Sequence, residues 1–213
     1  MIKHHPGDDL LLSYGAGALG ESWSLAAATH MALCPVCRAA VAAAEEVGGV
    51  LLDDSGFETL SEDALDRLMA RLDEPVPPAP AVTTPTDAVL PQPLRDYLGG
   101  DVDSIAWKSI GGRVHQHLIP TYDSGQARML LIPPGCPVPE HGHRGREWTL
   151  VLTGSFTDHT GEFARGDMQD ADENIVHQPL AGRGEDCVCL AITDAPLRFS
   201  GLLPRLLQPF IRI

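Results

Sequence analysis

A proline-rich segment between Pro75 and Pro93 divides this chain into two parts of different character. Seven of the 18 prolines of the 213-residue sequence lie there, mixed with Ala, Val and Thr and almost without charge. X-Pro steps favour extended, polyproline-like backbone over a flexible coil. We therefore predict a semi-rigid linker over residues 75–93, which keeps the part after it out of the hydrophobic core of the part before it.

Residues 1–74 have helical patterns and carry 13 acidic against four basic residues. The predicted helices begin, in order, at Asp8 or Asp9, at Glu21 or Ser22, near Pro35 and at Ser61, and Gly48-Gly49 ends the third. In the fourth, Leu65, Leu68, Met69 and Leu72 form one apolar stripe. So small a helical core is marginal, and a bound metal would stabilise it.

The remaining residues, 94–213, contain short β-like runs separated by Gly, Pro or Asp. The runs are Ile105–Ile110, Arg113–Ile119, Ala127–Ile132, Glu147–Leu152, Asp186–Thr193 and Leu197–Gly201. Short strands with turn signals at regular spacing predict an antiparallel barrel or sandwich. The expected fold is thus multidomain, with helices over 1–74, the linker over 75–93 and a β domain over 94–213.

Charge and composition exclude several classes of function. The formal net charge is −14, the opposite of the cationic field that a nucleic-acid surface needs, so we expect no direct nucleic-acid partner and a basic protein partner instead. No apolar run follows the N-terminus, and the longest early uncharged stretch is too short and polar to span a membrane. We expect a cytoplasmic protein without a membrane partner. Five cysteines, an odd number, favour metal or redox use over a disulfide framework.

A first candidate metal site lies in the helical part. His30 and Cys34 are one helical turn apart, and the turn to Cys37 brings a second thiolate to the same point. His5 or His4 can supply a fourth ligand. Two imidazoles and two thiolates without an open position are typical of structural Zn²⁺. The alternative is a reduced, redox-active C-x-x-C pair with His30 as an ordinary surface residue.

A second candidate metal site lies in the β part. His141 and His143 point to one side of an extended segment, and Glu147 enters the next strand facing the same cavity. The run from Gly135 through these residues to Gly154 resembles the first cupin motif at every spacing, which implies a jelly-roll barrel.

The second cupin motif is altered in this sequence. Gly166 and His177 fall at the expected positions, whereas Asp172 and Asn174 replace a Pro and a Gly, and Ala181 replaces the final Asn. The resemblance implies that His177 is the fourth ligand. Three His and one Glu accept Zn²⁺, Fe, Mn, Ni or Cu, and we expect Zn²⁺.

Two further cysteines alternate on one predicted strand. Cys187 and Cys189 face the same way among apolar partners. They are either small core residues or an oxidisable pair that lines the cavity opposite the metal.

The helical cluster of His5, His30, Cys34 and Cys37 resembles the zinc anti-sigma domain, which implies that His5 is the fourth ligand. A zinc anti-sigma domain, a Pro-rich linker and a cupin, in that order, resemble the ChrR-type anti-sigma factors. The resemblance implies a regulator that sequesters an extracytoplasmic-function sigma factor in a 1:1 complex. It also implies that the cupin is needed for release in response to singlet oxygen or related oxidants. The alternative is a mononuclear cupin dioxygenase or isomerase with an accessory zinc domain, although no catalytic residue can be assigned.

Overall fold

The computed structural model describes residues 1–72, 74–75, 87–111 and 113–199. The helices are α1 (Asp8–Gly15), α2 (Glu21–Leu33), α3 (Pro35–Asp53), α4 (Ala64–Leu72) and α5 (Gln92–Leu98), with a short 3-10 helix at Val102–Ser104. The strands are β1 (Lys108–Gly111), β2 (Val114–Ile119), β3 (Gln126–Ile132), β4 (His141–Gly142), β5 (Glu147–Thr153), β6 (Ser155–Asp158), β7 (Gly161–Ala164), β8 (Met168–Ala171), β9 (Val176–His177), β10 (Leu180–Ala181), β11 (Cys187–Thr193) and β12 (Arg198–Phe199).

The strands form the antiparallel cupin-like barrel that the sequence predicts. One sheet has six strands in the order β1-β2-β3-β11-β5-β8, and two three-stranded sheets have the orders β10-β6-β7 and β12-β4-β9. Central strands β5 and β11 are buried on both faces. One of these faces looks into the barrel, and the other is covered by helices.

Helix α2 packs against the outer face of the six-stranded sheet. Leu25, Ala26 and Ala27 belong to the same buried cluster as Trp148 and Leu150 of β5. The prediction that the two parts keep separate cores is therefore wrong. The small alanine side chains let the helix approach the sheet closely, and the sheet offers an apolar face that must be covered.

Polar contacts fix the first turn of α2 on the barrel side. Asp123, in the turn between β2 and β3, accepts hydrogen bonds from the Ser22 amide at 3.1 Å and its hydroxyl at 2.7 Å. Glu21 accepts hydrogen bonds from the Tyr97 hydroxyl and the Tyr122 amide. The helix start is thus tied to two segments of the second part, the β2–β3 turn and α5.

The end of the predicted linker is also folded. Helix α5 begins at Gln92, with Pro93 in its first turn, where proline is tolerated because the amide has no helical partner. Leu90 and Leu94 are fully buried in the core shared with α2. Residues 76–86 of the predicted linker and residues 200–213 of the predicted β domain lie outside the described residues. The boundaries at 74 and 94 stay predictions.

Helix α3 differs from its prediction at Gly48-Gly49. The helix continues through both glycines to Asp53. A glycine costs about 1 kcal/mol relative to alanine in a helix interior. It ends a helix most readily when its φ is positive, and the first described glycine with positive φ after α3 is Gly56, at 83°.

No single helix of the described segments has the length and apolar character to span a bilayer, whereas α2 and α3 taken together, bent by 119°, meet that length and composition criterion.

Candidate metal centres

The turn between α2 and α3 gathers the first set of predicted ligands. Cys34 leaves the helical conformation and caps α3, and its sulfur accepts a hydrogen bond from the Cys37 amide. Pro35 follows at the first position of the helix. His30, one turn back in α2, and His5, from the N-terminal segment, complete the group. One ligand atom from each of the four residues lies within 4.8 Å of the other three.

The spacing of these ligand atoms fits a tetrahedral zinc site. With Zn–S bonds of about 2.3 Å and Zn–N bonds of about 2.05 Å, neighbouring N and S ligands of a tetrahedron lie about 3.5 Å apart. The Nδ1 of His5 lies 3.4 Å from the Cys34 sulfur and 3.3 Å from the Cys37 sulfur. The Nε2 of His30 lies 3.3 Å from the Cys37 sulfur.

Burial also sets the protonation of two side chains in this cluster. Burial, together with the charge of His5, lowers the pKa of His30 to about 4, so its imidazole is neutral and able to bind metal. Burial, with the neighbouring Cys34, raises the pKa of the Cys37 thiol to about 12. A bound Zn²⁺ would stabilise both thiolates, and the two His and two Cys side chains would hold the ion.

The structure brings His5, rather than His4, to this cluster. The amides of Lys3 and His4 donate to Oδ1 of Asp167, at 2.6 and 3.0 Å, and the Met168 amide donates to the His4 carbonyl. The His4 ring packs against Phe163, with ring centroids 4.4 Å apart. The barrel therefore holds the N-terminal segment in place and directs His5 to the cysteines.

The second set of predicted ligands meets inside the barrel. His141 and His177 are directly paired on neighbouring strands β4 and β9, His143 follows β4, and Glu147 begins β5. All four side chains are buried, and their ligand atoms also lie within 4.8 Å of one another. The Nε2 of His177 lies 3.0 Å from that of His141 and 3.3 Å from that of His143.

These nitrogen spacings suit a metal with open positions. With metal–nitrogen bonds of about 2.1 Å, neighbouring ligands lie about 3.0 Å apart in an octahedron and about 3.4 Å apart in a tetrahedron. The observed distances match both arrangements. The four residues therefore fit a divalent ion without fixing its identity.

Outer hydrogen bonds orient two of the histidines. Nδ1 of His177 lies 2.7 Å from the Asp158 carboxylate, and Nδ1 of His141 lies 2.8 Å from the Pro139 carbonyl. Each acceptor requires the proton on Nδ1 and leaves the Nε2 lone pair directed at the cluster centre. Burial raises the pKa of Asp158, but hydrogen bonds from Thr160, Gln169 and His177 outweigh it and bring the pKa to about 2.

The candidate redox cysteines lie close together in the barrel. Their sulfurs are 3.5 Å apart, both side chains are buried, and Cys189 borders the interior cavity. The hydrogen bond with Cys187, followed by burial, raises the pKa of Cys189 well above its ordinary value. Because the thiolate is the reactive form, this environment disfavours oxidation of the resting pair. Their redox role stays a prediction.

Sequence reasoning missed the carboxylates that support the two clusters. Asp167 and Asp158 each lie far in sequence from the histidines whose position they fix. Asp-rich turns are common, and only the pairing of distant segments shows which of them face a metal site.

The comparisons with known proteins match the whole chain. Residues 97–195 match the family model described as the ChrR cupin-like domain. The Anti-sigma-E factor ChrR of Cereibacter sphaeroides is 49% identical over 213 residues, which cover 100% of this chain and 99% of that protein. The chain belongs to the ChrR family of anti-sigma factors. Because the alignment spans both parts, the relation to ChrR covers the helical part with its metal cluster as well as the barrel.

A solved structure of the ChrR family supports the same relation. It is the crystal structure of Rhodobacter sphaeroides SigE in complex with the anti-sigma ChrR. The match has a TM-score of 0.80 and 45% sequence identity, and it covers 91% of this chain and 100% of that chain.

Proposed function

We propose that this ChrR-family chain is an anti-sigma factor, which binds an extracytoplasmic-function sigma factor in a 1:1 complex and keeps it from RNA polymerase. The observation that carries the proposal is the full-length relation to ChrR, a protein whose structure is solved in complex with SigE. The partner acts on RNA polymerase, so the proposed location is the cytoplasm.

The sigma-binding surface that we propose is the exposed apolar face of α3 and α4. Helix α4 has no buried residue, and its stripe is exposed to between 54% and 69% at Leu65, Leu68, Met69 and Leu72. Val47, Val50, Leu51 and Leu52 of α3 are exposed as well. So large an exposed apolar patch is typical of a protein interface. The negative charge of residues 1–74 would complement a basic partner surface.

Each metal cluster has its own part in this proposal. Zn²⁺ held by His5, His30, Cys34 and Cys37 would fix the α2–α3 turn and thus the sigma-binding helices. A divalent ion on the barrel cluster, Zn²⁺ in our proposal, would serve release of the sigma factor under singlet oxygen or related oxidants. The relation to ChrR favours this regulatory role over the dioxygenase or isomerase alternative.

Co-purification tests the proposed binding. The full chain, co-expressed with the extracytoplasmic-function sigma factor of its own organism, should elute as a 1:1 complex in size exclusion. The Cys37→Ser variant should lose zinc and fail to form the complex. Cys136→Ser, a matched change outside the two metal clusters, should keep zinc and still form the complex. A stable complex of zinc-free Cys37→Ser protein would contradict the proposed role of zinc.

Release is tested separately with the barrel ligands. His141→Ala should bind the sigma factor like the wild type but keep it bound when cells meet singlet oxygen. If His141→Ala released the sigma factor as readily as the wild type, the barrel cluster would not take part in sensing.

A further inference from the structure

The barrel contains a partly open, apolar cavity of about 290 Å³. Side chains such as Val114, Leu130, Ile132 and Phe156 form most of its wall, and the metal cluster borders it through His141, Glu147 and His177. An apolar cavity with a few convergent polar groups is the usual form of a small-molecule site.

A buried arginine faces this cavity. Arg128 of β3 is only 4% exposed, and it shares a row across the sheet with Ala191 and Thr149, which also line the cavity. Its Nη1 and Nη2 donate to the side-chain amide oxygens of Gln116 and Gln126, at 3.2 and 2.6 Å. Its Nε has no hydrogen-bond partner among the described residues.

No charged partner balances this guanidinium at close range. Within the part of the chain that the structure describes, no carboxylate lies within 4.0 Å of Arg128. Glu147 is the one acidic residue among the described cavity-lining residues, and its negative charge favours the charged form of Arg128. It also belongs to the metal cluster. Arg113 adds a second positive charge at the rim. A divalent ion on the cluster would make the cavity more positive still.

Two amides are poor compensation for a desolvated cation. A guanidinium carries five N–H donors, in a fork that matches a carboxylate in a bidentate manner. Within the described segments, Arg128 uses two of these donors. Burying such a group without a counter-charge is costly, whereas an anion in the cavity would remove that cost.

We propose that this cavity binds a small apolar monocarboxylate, with its carboxylate on the Arg128 guanidinium and its hydrocarbon body against the apolar wall. At about 30 Å³ for each water-sized group, the cavity holds roughly ten non-hydrogen atoms, the size of a medium-chain fatty acid. A phosphate ester would bring more oxygens and charge than one guanidinium in an apolar wall can satisfy. The proposal stands apart from sigma binding and does not depend on it.

Calorimetric titration of the full, metal-loaded chain with octanoate tests the proposal. Octanoate should bind at least about tenfold more tightly than 1-octanol, which has the same chain length but no charge. This comparison uses the unaltered protein, so it does not depend on the folding of a variant. Equal binding of the two compounds, or no binding of octanoate, would overturn the proposal.

Variants then locate the carboxylate. Arg128→Met keeps an unbranched apolar stem but removes the guanidinium, and it should weaken octanoate binding by about 30-fold or more, the effect of losing one partner of a buried charge pair. Arg113→Gln, at the exposed rim, should change it less than threefold, in keeping with a rim charge. If His141→Ala abolished octanoate binding while folded Arg128→Met protein kept it, the carboxylate would bind the metal and the assignment to Arg128 would be wrong.

Discussion

A single residue of the barrel holds the segment before the candidate metal ligand His5 in position. Asp167 is 3% exposed and accepts hydrogen bonds from the amides of Lys3, His4 and Ala164. These bonds order the N-terminal segment just before His5. Without them, His5 would have to be immobilised from a disordered chain end each time it bound metal, at an entropic cost.

The first prediction concerns Asp167. Asp167→Ala should lower the zinc affinity of the helical cluster by about tenfold or more, the usual effect of losing a supporting group. Competition with a chromophoric chelator measures this affinity. Asp172→Ala, a matched change at an exposed carboxylate that accepts hydrogen bonds from nearby Asn174, should leave it unchanged. Equal affinities in the two variants would contradict the role of Asp167.

The second prediction uses the pKa of Asp123. Burial raises this pKa, but the hydrogen bonds from the Ser22 hydroxyl and amide outweigh it, and the net pKa is lowered. A folded-state pKa below the unfolded value of about 3.9 adds stability that is present above that pH and is lost as the pH falls through the folded value. Asp123→Asn should therefore unfold more easily than the wild type in urea at pH 7. This difference should shrink as the pH approaches 3, and a difference that is independent of pH would contradict the assignment.

At the scale of elements, α2 and α4 have opposite surroundings. Helix α2 is enclosed between the other helices and the sheet, and Trp23 meets Trp148 of β5 edge to face, with centroids 5.1 Å apart. Helix α4 has an exposed apolar stripe, and none of its residues is buried. Helix α2 therefore supports the fold, whereas the exposed stripe of α4 is accessible to a partner.

Leu68→Ser tests the role assigned to α4. Because Leu68 is 57% exposed, the substitution should change the free energy of unfolding by less than about 0.5 kcal/mol. It should weaken sigma-factor binding by about tenfold or more if the stripe forms the centre of the interface. Surface plasmon resonance gives the affinity, and Ala70→Ser, on the other side of the same helix, is the matched control. If Leu68→Ser bound the sigma factor as tightly as the wild type, the stripe would not be the centre of the sigma-binding surface.

Local spacing made three ligands of each set predictable from the sequence. The fourth ligands, His5 and His177, were predicted only through the family resemblance. His30, Cys34 and Cys37 lie within eight residues, and the helical turn and cap that join them are short-range structures. The motif glycines were predictable for the same reason. Gly154, for example, has a φ of 64°, and a Cβ there would lie 2.7 Å from the Asp186 carbonyl.

Long-range features could not be predicted in this way. Asp167 and Arg128 acquire their roles from segments far away in the sequence, and the packing of α2 on the sheet overrides the separation that the prolines suggested. A run of prolines constrains the backbone locally, but it does not decide whether the segments on either side bury a common apolar surface.

At the scale of the whole molecule, the helical part and the barrel share a large core cluster. Leu25 of α2, Leu94 of α5 and Leu190 of β11 belong to a single buried cluster. The N-terminal segment, just before the candidate ligand His5, is attached to the same barrel.

Cooperative unfolding is the expected consequence. The Cys34→Ser variant, measured by differential scanning calorimetry, should unfold in a single transition with a Tm about 5 °C or more below that of the wild type, since zinc binding stabilises the folded state. A Cys136→Ser control should keep the Tm close to the wild-type value. Two transitions, with the later one at the wild-type temperature, would show that the barrel unfolds independently of the helices.

In vitro transcription tests the central claim most directly. The assay uses RNA polymerase programmed with the extracytoplasmic-function sigma factor of the same organism, and it measures transcript against added protein. Wild-type protein and His141→Ala should both stop transcription at about equimolar ratio to the sigma factor, whereas Cys34→Ser should not. Inhibition by zinc-free Cys34→Ser equal to that of the wild type, or no inhibition by the wild type, would contradict a zinc-dependent anti-sigma factor.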